Sequence, residues 1–209
     1  TGWEELTTRT LELIAAEFTD PPRSIYLCGE SFGSCLALRV ALKKPEWIQH
    51  LTLINCASAF VRRPLLSWGS LGLGWLPDPL YRASGVVFLP FLAALGRIAR
   101  DDRQNLLAAM QSVPLPVLSW RLSLLRTFHV ATDRLREFDR PVSIVASAAD
   151  RLLPSVAEAQ RLLVHLPHAR KVILPRSGHA CLLETDVNLY DIFQTANIFA
   201  PETVVGTSE

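Results

Sequence analysis

At 209 residues the chain is long enough for one domain with a sizeable core. Its 21 lysines and arginines nearly balance its 20 acidic residues, so we expect no strong electrostatic field that would attract nucleic acid or an anionic membrane surface. Apolar residues make up 49% of the chain and the mean hydropathy is +0.23, yet no apolar run reaches the roughly 20 residues of a membrane-spanning helix.

Strands and helices alternate along most of the chain. Apolar residues at helical spacing predict helices, and short apolar runs bounded by Pro or Gly predict strands. In chain order the predicted elements are a helix over residues 4–18, a strand over 24–28, a helix over 33–43, strands over 50–55 and 142–146, a helix over 156–166, a strand over 171–174 and a last helix over 180–199. This alternation is typical of a parallel sheet with helical crossovers.

One segment, residues 59–135, breaks the alternation. It is rich in Leu, carries Trp68, Trp75 and Trp120, and shows no clear strand. Because unstructured loops of this length are uncommon, we expect a helical cap or lid inserted into a core formed by residues 1–58 and 136–200, with a polar tail over 201–209. The apolar stretches 64–77 and 83–96 are interrupted by Pro or Gly, and we expect lid or interface helices there that could contact a membrane peripherally.

The four cysteines and five histidines show no pattern typical of a metal site. No Cys-x-x-Cys pair is present, and no histidine has metal-ligand spacing to a cysteine. We therefore expect no metal and no cofactor, and the cysteine usage favours a reducing, cytoplasmic setting.

The pentapeptide Gly29-Glu30-Ser31-Phe32-Gly33 matches the pattern G-x-S-x-G between a predicted strand and a predicted helix. In this context the pattern predicts a nucleophile elbow, a strained turn that presents the serine hydroxyl above the sheet. We expect both Gly29 and Gly33 to be needed because the turn leaves little room for side chains.

A serine hydroxyl needs a base within hydrogen-bond reach and an acid that orients the base. Asp150 follows the strand at 142–146 and His179 follows the strand at 171–174, in the chain order serine, acid, histidine. Each residue alone has an ordinary explanation: a glycine turn, a helix cap for Asp150, or a histidine at a helix start. Their joint order after three strands favours a Ser31–His179–Asp150 triad.

Other candidates for the chemistry are weaker. Asn55 also follows a strand, but an amide cannot carry the negative charge of the acid. Cys28 adjoins the elbow, and we expect a buried structural thiol there instead of a second nucleophile. Glu30 is expected to face solvent or the wall of the site, and His165 and His168 are expected at the surface.

These residues resemble the α/β-hydrolase superfamily and, within it, the hydrolase half of plastid phytyl ester synthase and esterase/lipase/thioesterase-like proteins. The resemblance rests on residues 25–45, on the Asp150 loop and on residues 177–193. It implies a mostly parallel sheet with flanking helices and a helical lid, and it makes the backbone N–H of Phe32 one oxyanion donor. A second donor would come from an upstream loop, and only about 30 residues precede Ser31, so we expect that the N-terminal strands of the fold are missing.

The expected function is hydrolysis or transfer of acyl esters, including lipid esters, through an acyl-enzyme. Two alternatives stay open. The chain could be a weak or inactive remnant of such an enzyme, or it could cleave carbon–carbon bonds on the same fold.

Overall fold

A computed structural model describes residues 2–18, 25–72 and 77–195. Four parallel strands form one sheet in the order β1-β2-β3-β4. The strands are β1 Ile25–Glu30, β2 Ile48–Ile54, β3 Val142–Ser147 and β4 Ala169–Leu174. All four carboxyl ends therefore lie at the same edge of the sheet, where open α/β sheets bind their ligands.

Helices connect and cover these strands. They are α1 Trp3–Glu17, α2 Phe32–Lys43, α3 Pro64–Gly69, α4 Asp78–Leu92, α5 Arg100–Ser112, α6 Leu115–Arg126, α7 Thr132–Arg136, α8 Ser155–His165 and α9 Leu189–Thr195. Helix α2 packs on β1 and β2, and α8 packs on β3 and β4. Short 3₁₀ turns lie at Pro45–Trp47, Ala57–Arg62, Leu95–Arg97 and Cys181–Leu183.

The core lies between the sheet and its helices. The buried apolar side chains of α2, β2, β3 and α8 form one cluster, with Leu51, Leu53 and Leu162 fully enclosed. Strand β3 is buried at every position, because helices pack over it and strands flank it on both sides. This rigid centre fixes the loops that follow the strands.

The predicted parallel α/β fold is confirmed, with strand and helix ends that differ by a few residues. Strand β1 continues through Glu30 to the position before Ser31, and the predicted Ser24 start lies outside the described residues. In the described part of 57–136 every regular element is a helix. No helix in the described ranges is both long enough and apolar enough to cross a bilayer.

The last predicted helix, over residues 180–199, is wrong in its first half. Residues 181–183 form a 3₁₀ turn, and α9 begins only at Leu189; residues 196–199 lie outside the described residues. The reason is contact with the segment before α5. The Ala180 N–H donates to the Leu92 carbonyl at 2.7 Å and the Thr185 N–H donates to the Arg97 carbonyl at 3.0 Å, so these groups do not bond within a helix.

A buried ion cluster joins the base of the helical segment to α8. Glu158 is 1% exposed and accepts hydrogen bonds from Arg161 and Ser58, and it also pairs with Arg62. Since a buried carboxylate is costly without partners, the two guanidinium groups account for its place in the core. The cluster ties the turn Ala57–Arg62 to the core.

Candidate active site

Ser31 lies in a strained turn between β1 and α2. Its backbone has φ 53° and ψ −116°, a conformation that residues with a Cβ rarely adopt. The Ser31 N–H donates to the Ile54 carbonyl at 2.9 Å, which ties the turn to β2. The predicted elbow geometry is therefore present at Ser31.

The two motif glycines differ in what the turn requires of them. A Cβ at Gly29 would lie 2.4 Å from the Gly33 carbonyl oxygen and 2.8 Å from the Ser34 nitrogen, so any side chain would force the backbone apart. A Cβ at Gly33 would meet no atom within 4 Å. The expectation that Gly33 also must lack a side chain is wrong, because Gly33 lies in the first turn of α2 with its Cα directed to open space.

The buried Ser34 hydroxyl stabilises the elbow through hydrogen bonds to the backbone of β1 and β2. Its hydroxyl donates to the Gly29 carbonyl at 2.5 Å or the Ile54 carbonyl at 2.9 Å and accepts the Ile54 N–H at 3.1 Å, and the residue is fully buried. The sequence pattern does not predict these hydrogen bonds, because a serine in the first turn of a helix is usually interpreted as a small packing residue.

Ser31, His179 and Asp150 form one chain of hydrogen bonds. The Ser31 hydroxyl lies 2.8 Å from His179 Nε2, and His179 Nδ1 lies 2.8 Å from Asp150 Oδ2. The side chains of His179 and Asp150 are 4% and 1% exposed. With Asp150 ionised, Nδ1 carries the hydrogen and donates to the carboxylate, so Nε2 is left free to accept the serine proton.

The carboxylate of Asp150 is held by four donors. Oδ1 accepts the N–H groups of Leu152 and Leu153 at 2.8 and 3.0 Å, and Oδ2 accepts the hydroxyl of Ser155 as well as His179 Nδ1. Burial alone raises the pKa of Asp150, but the hydrogen bond and charge of His179, with the donors at Ser155 and Leu153, outweigh it, and the pKa falls below its ordinary value. The acid is therefore charged at neutral pH.

Asn55 fixes the loop that carries His179. It is 1% exposed, and its Nδ2 donates to the His179 carbonyl at 2.6 Å and to Ser147 Oγ at 3.0 Å, while Oδ1 accepts the Ser147 N–H at 2.8 Å. Its backbone φ of 45° is one that Asn tolerates better than most residues. The amide of Asn55 excludes it as the acid, and no local sequence pattern predicts this positioning contact.

Glu184 fixes the same loop from the other side. Its Oε1 accepts the Gly178 N–H at 2.7 Å, and its Oε2 accepts Arg97 Nε at 2.5 Å. Arg97 also pairs with Asp186 at 2.7 Å. A Cβ at Gly178 would lie 2.6 Å from the Ala94 nitrogen, so glycine is needed for this close approach.

The other candidate side chains form no described hydrogen bond with Ser31, His179 or Asp150. Cys28 is exposed and not buried as expected, because alternate residues of the edge strand β1 face outward. Glu30 is half-buried, with Oε1 3.9 Å from Cys181 Sγ, and burial raises its pKa. His168 is exposed, whereas His165 is only half-exposed at the end of α8. In the described ranges no three potential metal ligands cluster together.

An apolar cavity of about 450 Å³ opens over Ser31. Its walls come mainly from α3, α4, the end of α5, α6 and the Asp150 loop, and they include Leu66, Phe88, Leu122 and Leu153. Its few polar side chains include Tyr81 and Arg121. The Ser31 hydroxyl therefore faces a space suited to a largely apolar ligand.

Comparison with known proteins identifies the family of the chain. Residues 1–191 match the model of the alpha/beta hydrolase family. The chain is 30% identical over 199 residues to phytyl ester synthase 1, chloroplastic, of Arabidopsis thaliana, covering 84% of this chain and 28% of that protein. It is 31% identical over 170 residues to pimeloyl-[acyl-carrier protein] methyl ester esterase of Nitrosomonas europaea, covering 78% of this chain and 67% of that protein.

Solved structures share the fold. A hydrolase from Pseudomonas aeruginosa superposes with a TM-score of 0.73 at 20% identity, covering 96% of this chain and 72% of that chain. The chain thus spans only about a quarter of the phytyl ester synthase and about two thirds of the methyl ester esterase.

Proposed function

This chain belongs to the alpha/beta hydrolase family, and from that premise we propose that it cleaves or transfers acyl esters with Ser31 as nucleophile, His179 as base and Asp150 as acid. The observation that carries the proposal is the Ser31–His179–Asp150 hydrogen-bond chain, with 2.8 Å at each step. The two relatives described above are named for ester chemistry, which supports the same reaction class.

The proposed reaction begins with proton transfer. His179 Nε2 takes the Ser31 hydroxyl proton as Ser31 Oγ attacks the ester carbonyl carbon, and Asp150 stabilises the imidazolium that forms. The carbonyl oxygen becomes an oxyanion. The Phe32 N–H lies at the start of α2, where helix N–H groups have no acceptor within the helix, and it is the proposed donor to this oxyanion.

The tetrahedral intermediate then collapses. The ester C–O bond breaks, His179 gives its proton to the departing alcohol, and an acyl group stays on Ser31 Oγ. A water molecule or an acceptor alcohol is deprotonated by His179 and attacks the carbonyl carbon of this acyl-enzyme. The bond from that carbon to Ser31 Oγ then breaks, His179 returns the proton to Ser31 Oγ, and an acid or a new ester leaves. Hydrolysis and acyl transfer therefore differ only in the second nucleophile.

We further propose that the acyl chain or alcohol of the substrate is long and lipid-like. The walls of the cavity over Ser31 are mostly apolar, and each buried methylene contributes about 0.8 kcal/mol, or roughly a fourfold gain in binding. Such substrates reside in membranes, so the proposal includes peripheral contact of residues 59–135 with a lipid surface. All four cysteines are free, which fits work in a reducing compartment such as the cytoplasm.

Replacement of Ser31 tests the nucleophile. Ser31→Ala should lower kcat on a chromogenic acyl ester by about 10⁴-fold or more. Cys28→Ser is the matched control, since this exposed thiol lies near the elbow and its replacement should leave kcat unchanged. A fluorophosphonate probe should label the unmodified chain once per molecule and leave Ser31→Ala unlabelled. Activity or labelling that survives Ser31→Ala would refute the assignment, and absent labelling of the unmodified chain would favour an inactive remnant.

A series of p-nitrophenyl esters tests the lipid preference. We expect kcat/KM to rise from acetate towards medium and long acyl chains because these fill the cavity. A strict preference for acetate would contradict the lipid proposal and leave the triad assignment intact.

A further inference from the structure

Large apolar side chains stand exposed on α3 and α4, the two helices beside the cavity. Leu65 is 91% exposed, Trp68 76% and Val87 68%. Single exposed apolar residues are common, but a concentration of them next to one cavity marks an interaction surface. We call this surface the apolar face; it comprises Leu65, Trp68, Leu71, Leu80, Val86, Val87, Phe88 and Phe91.

The spacing along each helix brings two pairs of these side chains together. Leu65 and Trp68 are three residues apart on α3, and Val87 and Phe91 are four apart on α4, so each pair lies on one side of its helix. Leu65 and Phe88 are exposed and also line the cavity over Ser31. The apolar face is therefore continuous with the space that the substrate would fill.

The segment that carries the apolar face has an excess of positive charge in its sequence. Residues 57–130 contain eight arginines and three aspartates and no lysine or glutamate, while the whole chain has a net charge of only +1. Arg62 and Arg97 are partly neutralised by ion pairs with Glu158 and Glu184. The remaining arginines, such as the exposed Arg121, leave this segment cationic against an otherwise acidic chain.

We propose that the apolar face docks on a lipid surface that carries anionic headgroups, with the cavity mouth at the interface so that an acyl chain enters from the membrane. This inference rests on the proposed function and names the partner of that site. Exposed apolar side chains on the helices of a cationic segment are typical of interfacial binding, where apolar burial and attraction to anionic lipid add together. A second copy is a poorer occupant because two copies would bring the same cationic segments together.

Vesicle flotation tests the docking. The Ser31→Ala chain, which cannot consume lipid, is mixed with phosphatidylcholine vesicles that contain about 30% phosphatidylglycerol, and the bound fraction is measured against lipid concentration. We expect binding to these vesicles and at least about tenfold weaker binding to pure phosphatidylcholine or at high salt.

A double substitution, Trp68→Ser with Val87→Ser, should weaken binding to the anionic vesicles by about tenfold or more. Neither residue lines the cavity, so hydrolysis of a soluble short-chain ester should be unchanged in the chain that keeps Ser31. The matched control is Leu13→Ser with Val164→Ser, which removes apolar side chains that are 63% and 70% exposed on α1 and α8. This control should bind vesicles as the parent does, and equal thermal unfolding midpoints establish that all variants fold.

Three results would overturn the docking: no binding to anionic vesicles, equal loss in the control pair, or a dimer in light scattering that the Trp68 and Val87 substitutions abolish. The last result would make a second copy the occupant. Failure of the proposed function is separate, because it appears as absent ester hydrolysis and leaves vesicle binding by Ser31→Ala in place.

Discussion

Asn55→Ala should both destabilise the protein and slow catalysis, although Asn55 does not touch the reacting atoms. The substitution leaves the Ser147 N–H and the His179 carbonyl buried without a partner, because both bond to the Asn55 amide at 2.8 and 2.6 Å. Each unsatisfied buried group costs about 1–3 kcal/mol. Alanine at a φ of 45° adds about 1 kcal/mol of backbone strain.

The expected loss is therefore about 3–7 kcal/mol, a large part of the stability of a typical domain. Urea unfolding followed by circular dichroism measures it. Asn55→Gly is the matched control, because it loses the same hydrogen bonds but accepts the positive φ. The Asn55→Gly variant should lose about 1 kcal/mol less free energy of unfolding than the Asn55→Ala variant.

Catalysis should fall because the His179 carbonyl is no longer held. A displacement of about 1 Å at a catalytic group costs on the order of 100-fold, so kcat on a chromogenic ester should drop by about 10- to 100-fold while KM changes little. Asn55→Ala with stability within about 0.5 kcal/mol of the parent and an unchanged kcat would refute the assigned positioning contact.

Two further predictions follow from single positions. Gly29→Ala should reduce activity by about 100-fold or more, since its Cβ would lie 2.4 Å from the Gly33 carbonyl oxygen. Gly33→Ala should leave stability unchanged or raise it by up to about 1 kcal/mol, because its Cβ would meet no atom. Equal effects of the two substitutions on thermal unfolding and on ester hydrolysis would contradict this contrast. Burial, with a smaller contribution from Arg170, lowers the pKa of His50 to about 4. The unfolded chain binds the proton first, so stability is complete above about pH 6.5 and is lost as the pH falls towards 4. We expect His50 to lower the free energy of unfolding by about 2 kcal/mol over this range, a value reduced because the charge of the solvent-exposed Arg170 is screened. His50→Gln should remove this part of the difference in unfolding free energy between pH 7 and pH 4.5, measured with urea. An unchanged difference would refute the prediction.

The fold and the meeting of Ser31, Asp150 and His179 could be predicted because local patterns encode them. Alternating apolar runs define the strands and helices, and parallel strands bring the loops after β1, β3 and β4 to one edge. The prediction that Ser31, Asp150 and His179 meet depends only on this topology, and the structure places them in hydrogen-bond contact. Their catalytic roles stay a proposal until the substitutions are measured.

The supporting contacts could not be predicted, because each joins residues far apart in sequence. Asn55 contacts His179 across 124 positions, and Glu158 accepts the Ser58 hydroxyl across 100. No local pattern marks such residues, since their value depends on which loops the finished fold brings together. The same limit explains the error over the last helix, whose first half bonds to the backbone at Leu92 and Arg97 instead of to itself.

The loop that carries His179 depends on the helical segment as much as on the sheet. Gly178 lies directly against the Ala94 nitrogen, and its N–H bonds to Glu184, which Arg97 holds in turn. The chain around Ala94 and Arg97 must therefore stay in place for the imidazole to face Ser31. The apolar face lies on α3 and α4, outside this anchor except at Leu92, whose carbonyl accepts the Ala180 N–H, so we expect any movement that admits the proposed lipid substrate in α3 and the earlier part of α4. On this proposal, substrate entry and the alignment of the imidazole depend on different parts of residues 59–135.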